Sequence, residues 1–137
     1  MMRKVAPDAE FDDFKKSSAF RFAESRLVIH NYLGTSWLET LALDIPTVCF
    51  YDPETYAFRE AAQPYINSLA TVGVLHRSGN SAALFVASLG DDIEKWWAKV
   101  EVQKARRNFV KQYANFSPDW KEQWEQEFKA VLDTMGN

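Results

Sequence analysis

The sequence predicts an α/β fold in which a small parallel sheet is flanked by helices and followed by a helical C-terminal extension. Short apolar runs alternate with segments whose apolar residues recur at spacings of three and four. Strands that alternate with helices in this way are typical of parallel sheets. We therefore predict one domain over residues 1–137, with its α/β core at about 5–90 and its C-terminal helices at 91–135.

The first half of the chain carries the pattern of one β-α-β unit. Helical periodicity covers residues 8–24, and the short apolar run at 27–29 predicts a buried parallel strand. A helix is predicted over 37–43, opened by a loop of small residues and stopped by Pro46. The second strand is predicted at 47–50.

One further strand is predicted among the helices of the second half. Residues 54–69 have a less regular pattern, which predicts a partly helical segment interrupted by Pro64. Residues 72–75 form an apolar run and are the third predicted strand. The sheet is therefore expected to be small, with three or four strands.

The C-terminal part is predicted to be entirely helical. Asn80 or Ser81 can cap a helix that stops at Gly90, and a longer helix then covers 91–113. The sequence Ser117-Pro118-Asp119 predicts another helix start. The helix behind it carries an apolar stripe of Trp120, Trp124, Phe128 and Val131. If these aromatic helices are exposed, they predict an interface with a partner or with a second copy.

The distribution of charge argues against nucleic acid as a partner. The net charge is −3, and residues 31–90 contain only Arg59 and Arg77 as basic residues. A groove for long nucleic acid needs clustered lysine and arginine. Any phosphate bound in this part of the chain must therefore be held mainly by backbone N–H groups.

Three further features exclude a disulfide-bonded, a zinc-binding and a membrane-spanning protein. They are the single cysteine, the two histidines and the short apolar runs. The single cysteine, Cys49, lies in a predicted buried strand and excludes an internal disulfide. His30 and His76 are the two histidines, too few and too far apart in the sequence for a zinc site. No apolar run approaches the roughly 18 residues of a membrane span. We expect a cytoplasmic protein, at most peripheral to the inner membrane, with no metal ion and no cofactor.

The loop over residues 30–36 is the segment best suited to bind a ligand. It follows a predicted parallel strand and leads into a helix, whose first N–H groups and dipole favour an anion. Gly34 allows close approach, and Thr35 and Ser36 add hydroxyl donors. The alternative is plain capping, because Ser36 followed three residues later by Glu39 matches a capping box.

Residues 26–48 resemble the carboxy-terminal domain of GT-B glycosyltransferases, especially bacterial surface-carbohydrate transferases. The resemblance lies in a strand ending in small residues, a helix with Glu39, and the segment Leu-Ala-Leu-Asp-Ile-Pro-Thr at 41–47. It implies that the chain is a Rossmann-like domain that binds a nucleotide-sugar. Gly34, Thr35 and Ser36 would face phosphate, and Glu39 would face ribose. Asp44 stands where glycine is common, and aspartate can adopt a left-handed cap.

The resemblance also implies a second, amino-terminal domain that this length cannot contain. We therefore expect the donor-binding half of a glycosyltransferase of surface polysaccharide biosynthesis, with the missing domain or a partner chain supplying the acceptor contacts. The alternatives are half of a nucleotide-sugar epimerase, which shares the two-domain plan, and a non-catalytic interaction module of the same fold. The nucleotide-sugar is a substrate in the first two of these hypotheses.

Five further residues follow predicted strands or lie near the loop. Asn31 belongs to the loop, and Asp52 follows the second strand, where it either meets a sugar hydroxyl or forms an Asp-Pro turn. Arg59 is a candidate partner for the diphosphate, with a surface helix as the alternative. His76 follows the third strand, in a region that borders the nucleotide base in the family. His30 is a candidate general base, weighed against a hydrogen-bonded structural histidine.

Overall fold

A three-stranded parallel sheet forms the centre of the fold. The structure is a computed structural model, and it describes residues 8–13 and 15–135. The strands are β1 (Val28–His30), β2 (Thr47–Phe50) and β3 (Leu75–His76), in that spatial order. Helices connect and flank them, so the predicted α/β class with a small parallel sheet is confirmed.

Seven α-helices surround the sheet in the described part of the chain. They are α1 (Ser18–Ala23), α2 (Thr35–Ala42), α3 (Gln63–Thr71), α4 (Gly79–Leu89), α5 (Ile93–Trp97), α6 (Val100–Tyr113) and α7 (Trp120–Met135). A short 3-10 helix, Glu60–Ala62, leads into α3. Helix α6 packs against α2 and α3, whereas α4 packs against β2 and β3.

The core lies where α2, α3 and α6 meet the sheet. Leu41, Val48 and Leu69 are fully buried there. Aromatic side chains fill the space around them, with Trp37 and Phe109 in ring contact at 5.0 Å between centroids. Trp37 and Phe109 thus pack α2 against α6 within the core.

The helix predicted over residues 8–24 is much shorter in the structure. Helix α1 begins at Ser18, because the Ser17 hydroxyl accepts the N–H of Phe20 and caps it. Before it, the Asp13 carboxylate accepts the N–H of Lys15, a local bond that competes with helix. Residues 1–7 and 14, which belong to the predicted core and helix, lie outside the described residues. Strand β1 also begins and ends one residue later than predicted.

The prediction for the α3–β3 region was wrong in two details. Pro64 lies in the first turn of α3 and starts the helix instead of interrupting it, since proline needs no N–H partner there. Gly73 has a φ of +81° and closes the end of α3. Residues 72–74 therefore form the turn that ends α3, and β3 begins only at Leu75.

Three further helix boundaries differ from those predicted. Helix α4 is capped by Ser78, whose hydroxyl accepts the N–H of Ser81, and neither Asn80 nor Ser81 is the cap. The helix predicted over 91–113 is divided, because Lys99 is extended with φ −60° and ψ 140°. The predicted stop at Gly90 is confirmed. The helix predicted to start at Ser117 begins only at Trp120, after a turn in which the Ser117 hydroxyl accepts the N–H of Asp119.

The side chain of Asp44, in the turn between α2 and β2, links this turn to α6. Its φ of 59° is left-handed, as the sequence predicted for a residue that replaces glycine. Its Oδ1 accepts from Trp97 Nε1 at 2.9 Å and from Gln103 Nε2 at 3.1 Å, and it pairs with Arg106 Nε at 3.0 Å. Arg106 is buried and also donates to the carbonyl of Leu41 at 2.8 Å.

Helix α7 differs from the other long helices because no described residue of it is buried. Its apolar stripe is exposed as well: Trp120, Trp124, Phe128, Val131, Leu132 and Met135. No helix in the described residues is long and apolar enough to cross a membrane.

Candidate functional site

The three strands end side by side, so the loops that follow them share one edge of the sheet. His30 is paired with Cys49, and Phe50 with His76, in a parallel register. The N–H of Tyr51 continues this ladder to the carbonyl of His76. Parallel sheets bind ligands at this carboxyl edge, and it is where the sequence places its candidate loop.

The loop after β1 leads into a helix start without a side-chain cap. Gly34 is the N-cap residue, with an extended backbone of φ −101° and ψ −176°, and it has no side chain to accept from the first turn. Ser36 therefore lies inside the first turn, and the alternative considered for the loop, a capping box of Ser36 and Glu39, is wrong. The first turn of α2 contains no acidic residue. Its N–H groups are therefore available to an anion.

Tyr32 covers this helix start, and the sequence analysis did not single it out. A Cβ at Gly34 would collide with the ring of Tyr32, so the glycine is what allows that ring to lie there. Tyr32 is nevertheless 52% exposed. The available signal was an aromatic residue two positions before the only glycine of the loop.

Glu39 lines a groove that no residue of the loop over 30–36 borders. The groove has a volume of about 620 Å³ and lies between α1, α2 and the segment after α6. Its other walls are Ser18, Ala19, Ala42, Leu43, Val110, Ala114, Asn115 and Phe116. The groove borders the end of α2 at Ala42 and Leu43, whereas Thr35 lies at the start of the same helix.

His30 has the geometry of a structural histidine. It is 7% exposed, and its Nε2 lies 3.0 Å from Thr40 Oγ1. Because the Thr40 hydroxyl donates to the carbonyl of Trp37, Nε2 must be the donor in its contact with Thr40. Burial lowers the pKa of His30, which keeps the ring neutral at pH 7.

His76 has hydrogen-bond partners on both ring nitrogens. Nε2 donates to the carbonyl of Gly73 at 3.0 Å, which leaves Nδ1 to accept from the Ser81 hydroxyl at 2.9 Å. The ring lines a cavity of about 690 Å³ beside β3. Burial lowers its pKa, against the smaller effect of the bond to Gly73. A ligand contact would have to replace the bond to Ser81 or use the face of the ring.

The remaining candidate residues from the sequence analysis are Asp52, Asn31 and Arg59. Asp52 follows β2, and its carboxylate accepts the N–H of Glu54 and the hydroxyl of Thr55, so it forms the turn that was the alternative to a sugar contact. Asn31 is exposed in the loop after β1, and Arg59 is exposed just before the 3-10 helix. Among the residues described, no group of three or more possible metal ligands is found.

The class of the protein follows from this fold together with a family comparison. The sheet and its carboxyl-edge loops define a parallel α/β domain, and residues 1–128 match the model of a transferase family. The chain belongs to that family, which is described as the LIC12162 family transferase. No curated protein and no solved structure matches the chain.

Proposed function

We propose that the chain binds a nucleotide-activated sugar at the start of α2, as the donor-binding part of a glycosyltransferase of surface polysaccharide biosynthesis. The observation that carries the proposal is the uncapped helix start at the end of a parallel strand. Membership of a transferase family supports transfer chemistry. The resemblance of residues 26–48 to GT-B enzymes supports a sugar donor.

The chemistry assigned to the loop is stabilisation of a leaving diphosphate. When an acceptor hydroxyl displaces it, negative charge grows on the diphosphate oxygens. The N–H groups of Thr35 and Ser36 and the helix dipole are oriented before the reaction, which is why they favour that charge in the transition state. An interaction of a charge with a helix end contributes about 0.3–1 kcal/mol when exposed and up to about 2 kcal/mol when partly buried.

The other candidate residues are assigned to the rest of the donor. Glu39 would hold the ribose from its groove, while Asn31 would contact the sugar from the loop after β1. Arg59 would pair with the diphosphate, and His76 would border the base. These roles follow the family resemblance, and each can be tested by substitution once binding is measured.

An NMR titration tests the binding step. Backbone amide signals of the labelled chain are followed while UDP, GDP or CMP is added. The proposal predicts saturable shifts at residues 34–39 with at least one nucleotide. The start of α4 is an internal control, since its dipole is similar but Ser78 already caps it. Shifts of equal size at both helix starts, or none at α2, would contradict the proposal.

A charge substitution at Thr35 distinguishes an effect on diphosphate binding from an effect on the stability of α2. Thr35 is exposed in the first turn of α2. Thr35→Glu should stabilise the helix slightly, since an acid favours the N-terminus, yet weaken diphosphate binding by about tenfold or more through repulsion. Thr35→Gln is the neutral control and should retain binding. Equal affinities of the two variants would show that the diphosphate lies elsewhere.

The exposed stripe on α7 favours a second candidate function, a non-catalytic interaction module. That function predicts self-association or a bound protein, and no response to nucleotides. Sedimentation velocity over a range of concentrations, with and without UDP, distinguishes the two. A monomer that binds UDP supports the transferase, whereas an oligomer that ignores all three nucleotides supports the module.

A further inference from the structure

Tyr51 and Arg77 occupy neighbouring positions at the carboxyl edge of the sheet. Tyr51 directly follows the last residue of β2, and Arg77 directly follows the last residue of β3. Phe50 and His76 are paired in the sheet, and the N–H of Tyr51 donates to the carbonyl of His76 at 3.1 Å. Parallel sheets bind ligands at this edge, yet neither residue has a role in the proposed function.

Both residues line a cavity of about 560 Å³ between the segment after β2 and helix α3. Tyr56 and Phe58 form its apolar wall and pack edge-on against Tyr51, at centroid distances of 6.2 and 5.4 Å. Helix α3 contributes the amides of Gln63 and Asn67. A volume of roughly 300–1,000 Å³ and an apolar wall with a few polar groups are typical of a small-molecule site.

The hydroxyl of Tyr51 is a polar group of this cavity without a partner. Tyr51 is only 8% exposed, and its hydroxyl forms no hydrogen bond with a described residue. Among the described residues, the fully covered side-chain N and O atoms without a partner are Arg21 Nε and Trp37 Nε1. The Tyr51 hydroxyl therefore keeps access to open space, and this cavity is the space that Tyr51 borders. It is placed to bond a ligand there.

The charge of the cavity favours a carboxylate. Arg77 is the only charged residue among those that line it, and it forms no ion pair or hydrogen bond with a described residue. The N–H groups of arginine form a planar fork that matches a carboxylate. One positive charge balances one carboxylate, whereas a terminal phosphate would bring close to two negative charges at pH 7.

The amides of α3 favour a ligand that carries hydroxyl groups. Gln63 Nε2 donates to Asn67 Oδ1 at 2.9 Å, which leaves Gln63 Oε1 as an acceptor and Asn67 Nδ2 as a donor. A sugar hydroxyl both donates and accepts, so it can use either group. The rings of Tyr56 and Phe58 offer apolar surface to the C–H groups of a sugar ring.

We propose that this cavity binds an acidic sugar, with its carboxylate paired with Arg77 and accepting from the Tyr51 hydroxyl. The sugar belongs either to the activated donor or to the acceptor. That assignment to a transfer reaction rests on the proposed function, whereas the occupancy of the cavity by a sugar carboxylate does not.

A matched pair of probes tests the carboxylate. D-Glucuronate and D-glucuronamide share the ring and its hydroxyls, and they differ in a charged carboxylate against a neutral amide. Each is titrated into the ¹⁵N-labelled chain while the backbone amide signals of residues 51 and 75–77 are followed. Glucuronate should give saturable shifts and bind at least about fivefold more tightly than glucuronamide, because only glucuronate forms an ion pair with Arg77.

Two substitutions locate the contacts of the carboxylate. Arg77 is exposed, so Arg77→Gln should leave the fold intact and bring the two affinities to within about twofold of each other. Tyr51→Phe removes only the hydroxyl and should weaken glucuronate binding by about threefold or more. Arg107→Gln changes an exposed arginine on α6 and is the matched control, which should leave both affinities unchanged.

UDP-glucuronate and UDP-glucose show which substrate carries the carboxylate. A donor sugar predicts that UDP-glucuronate binds more tightly than UDP-glucose and shifts the amides of residues 34–39 and 75–77 together. An acceptor sugar predicts that the two bind equally, and that free glucuronate still binds to the chain saturated with UDP. Either result supports the carboxylate site.

Three outcomes would overturn the proposal. They are equal affinity for glucuronate and glucuronamide in the parent chain, a preference for glucuronate that survives Arg77→Gln, and tighter binding of benzoate than of glucuronate. The sugar-donor hypothesis fails separately, because glucuronate binding without any response to UDP, GDP or CMP would remove that hypothesis and leave the acidic-sugar site.

Discussion

Cys49 is held in its protonated form by its place in the central strand. It is fully buried, and its Sγ lies 3.5 Å from the carbonyl of Tyr32. Burial raises the pKa of the thiol to about 12, because the thiolate would lose its hydration. The residue therefore has the properties of a small apolar side chain, as its position in a predicted buried strand indicated.

We expect Cys49 to be inert towards thiol reagents while the chain is folded. Reaction with Ellman's reagent at pH 8 should be limited by unfolding, and addition of denaturant should release one thiol per chain. Fast reaction in native buffer would show that β2 is accessible. Cys49→Ala provides the blank.

The lowered pKa values of the two histidines predict how the free energy of unfolding depends on pH. Burial lowers the pKa of His30 and of His76 below the ordinary value of 6.5. The unfolded chain therefore takes up protons first, and stability falls as the pH drops through 6.5 towards the lower folded values.

Urea unfolding at pH 7.5 and at pH 6 checks this expectation. The midpoint should be lower at pH 6. The double variant His30→Gln and His76→Gln should lose most of the difference, since glutamine keeps an N–H donor but does not titrate in this range. A midpoint that is independent of pH in the parent chain would show that burial lowers the pKa of neither histidine.

At the level of the elements, Arg106 joins α6 to the end of α2. Its guanidinium contacts Asp44, Gln103 and the carbonyl of Leu41. Arg106→Ala should lower the free energy of unfolding by about 1–3 kcal/mol, because it removes a buried, charge-assisted hydrogen bond to the Leu41 carbonyl and the ion pair with Asp44. Arg107→Ala is the control next to it; this exposed residue should change stability by less than about 0.5 kcal/mol. Equal effects in chemical denaturation would contradict the structural role of Arg106.

The elements that have a strong local pattern could be predicted from the sequence. Strand β2 is found at the predicted residues, and the start of α7 follows the predicted Ser-Pro-Asp sequence. These elements depend on apolar periodicity and capping chemistry, which are local.

The elements that were predicted wrongly depend on tertiary contacts. The break at Lys99 lets Trp96 donate to the carbonyl of Val72 and Trp97 to Asp44, partners 24 and 53 residues away. The Ser36–Glu39 pattern left a capping box open as an alternative, whereas in the structure Gly34 is the N-cap and lies against the ring of Tyr32. No local pattern contains either fact.

At the scale of the whole molecule, α7 contributes little to the stability of the body. Because none of its described residues is buried, a chain that ends at Asn115 should unfold within about 0.5 kcal/mol of the full chain. The measurement is chemical denaturation followed by tryptophan fluorescence. Phe109→Ala, on the buried face of α6, is the contrasting control and should cost about 3–5 kcal/mol. A large loss on truncation would show that α7 packs against the body.

The strand order has a consequence for where a complete ligand crevice can form. Each crossover adds the next strand on the same side, so the described sheet contains no topological switch point, the reversal of winding at which crevices open in doubly wound folds. Within the described residues β1 pairs with β2 alone, and Ile29 on β1 is 52% exposed. A crevice of that kind requires a further strand along the free side of β1. The proposed phosphate site at the start of α2 would then form one wall of that crevice.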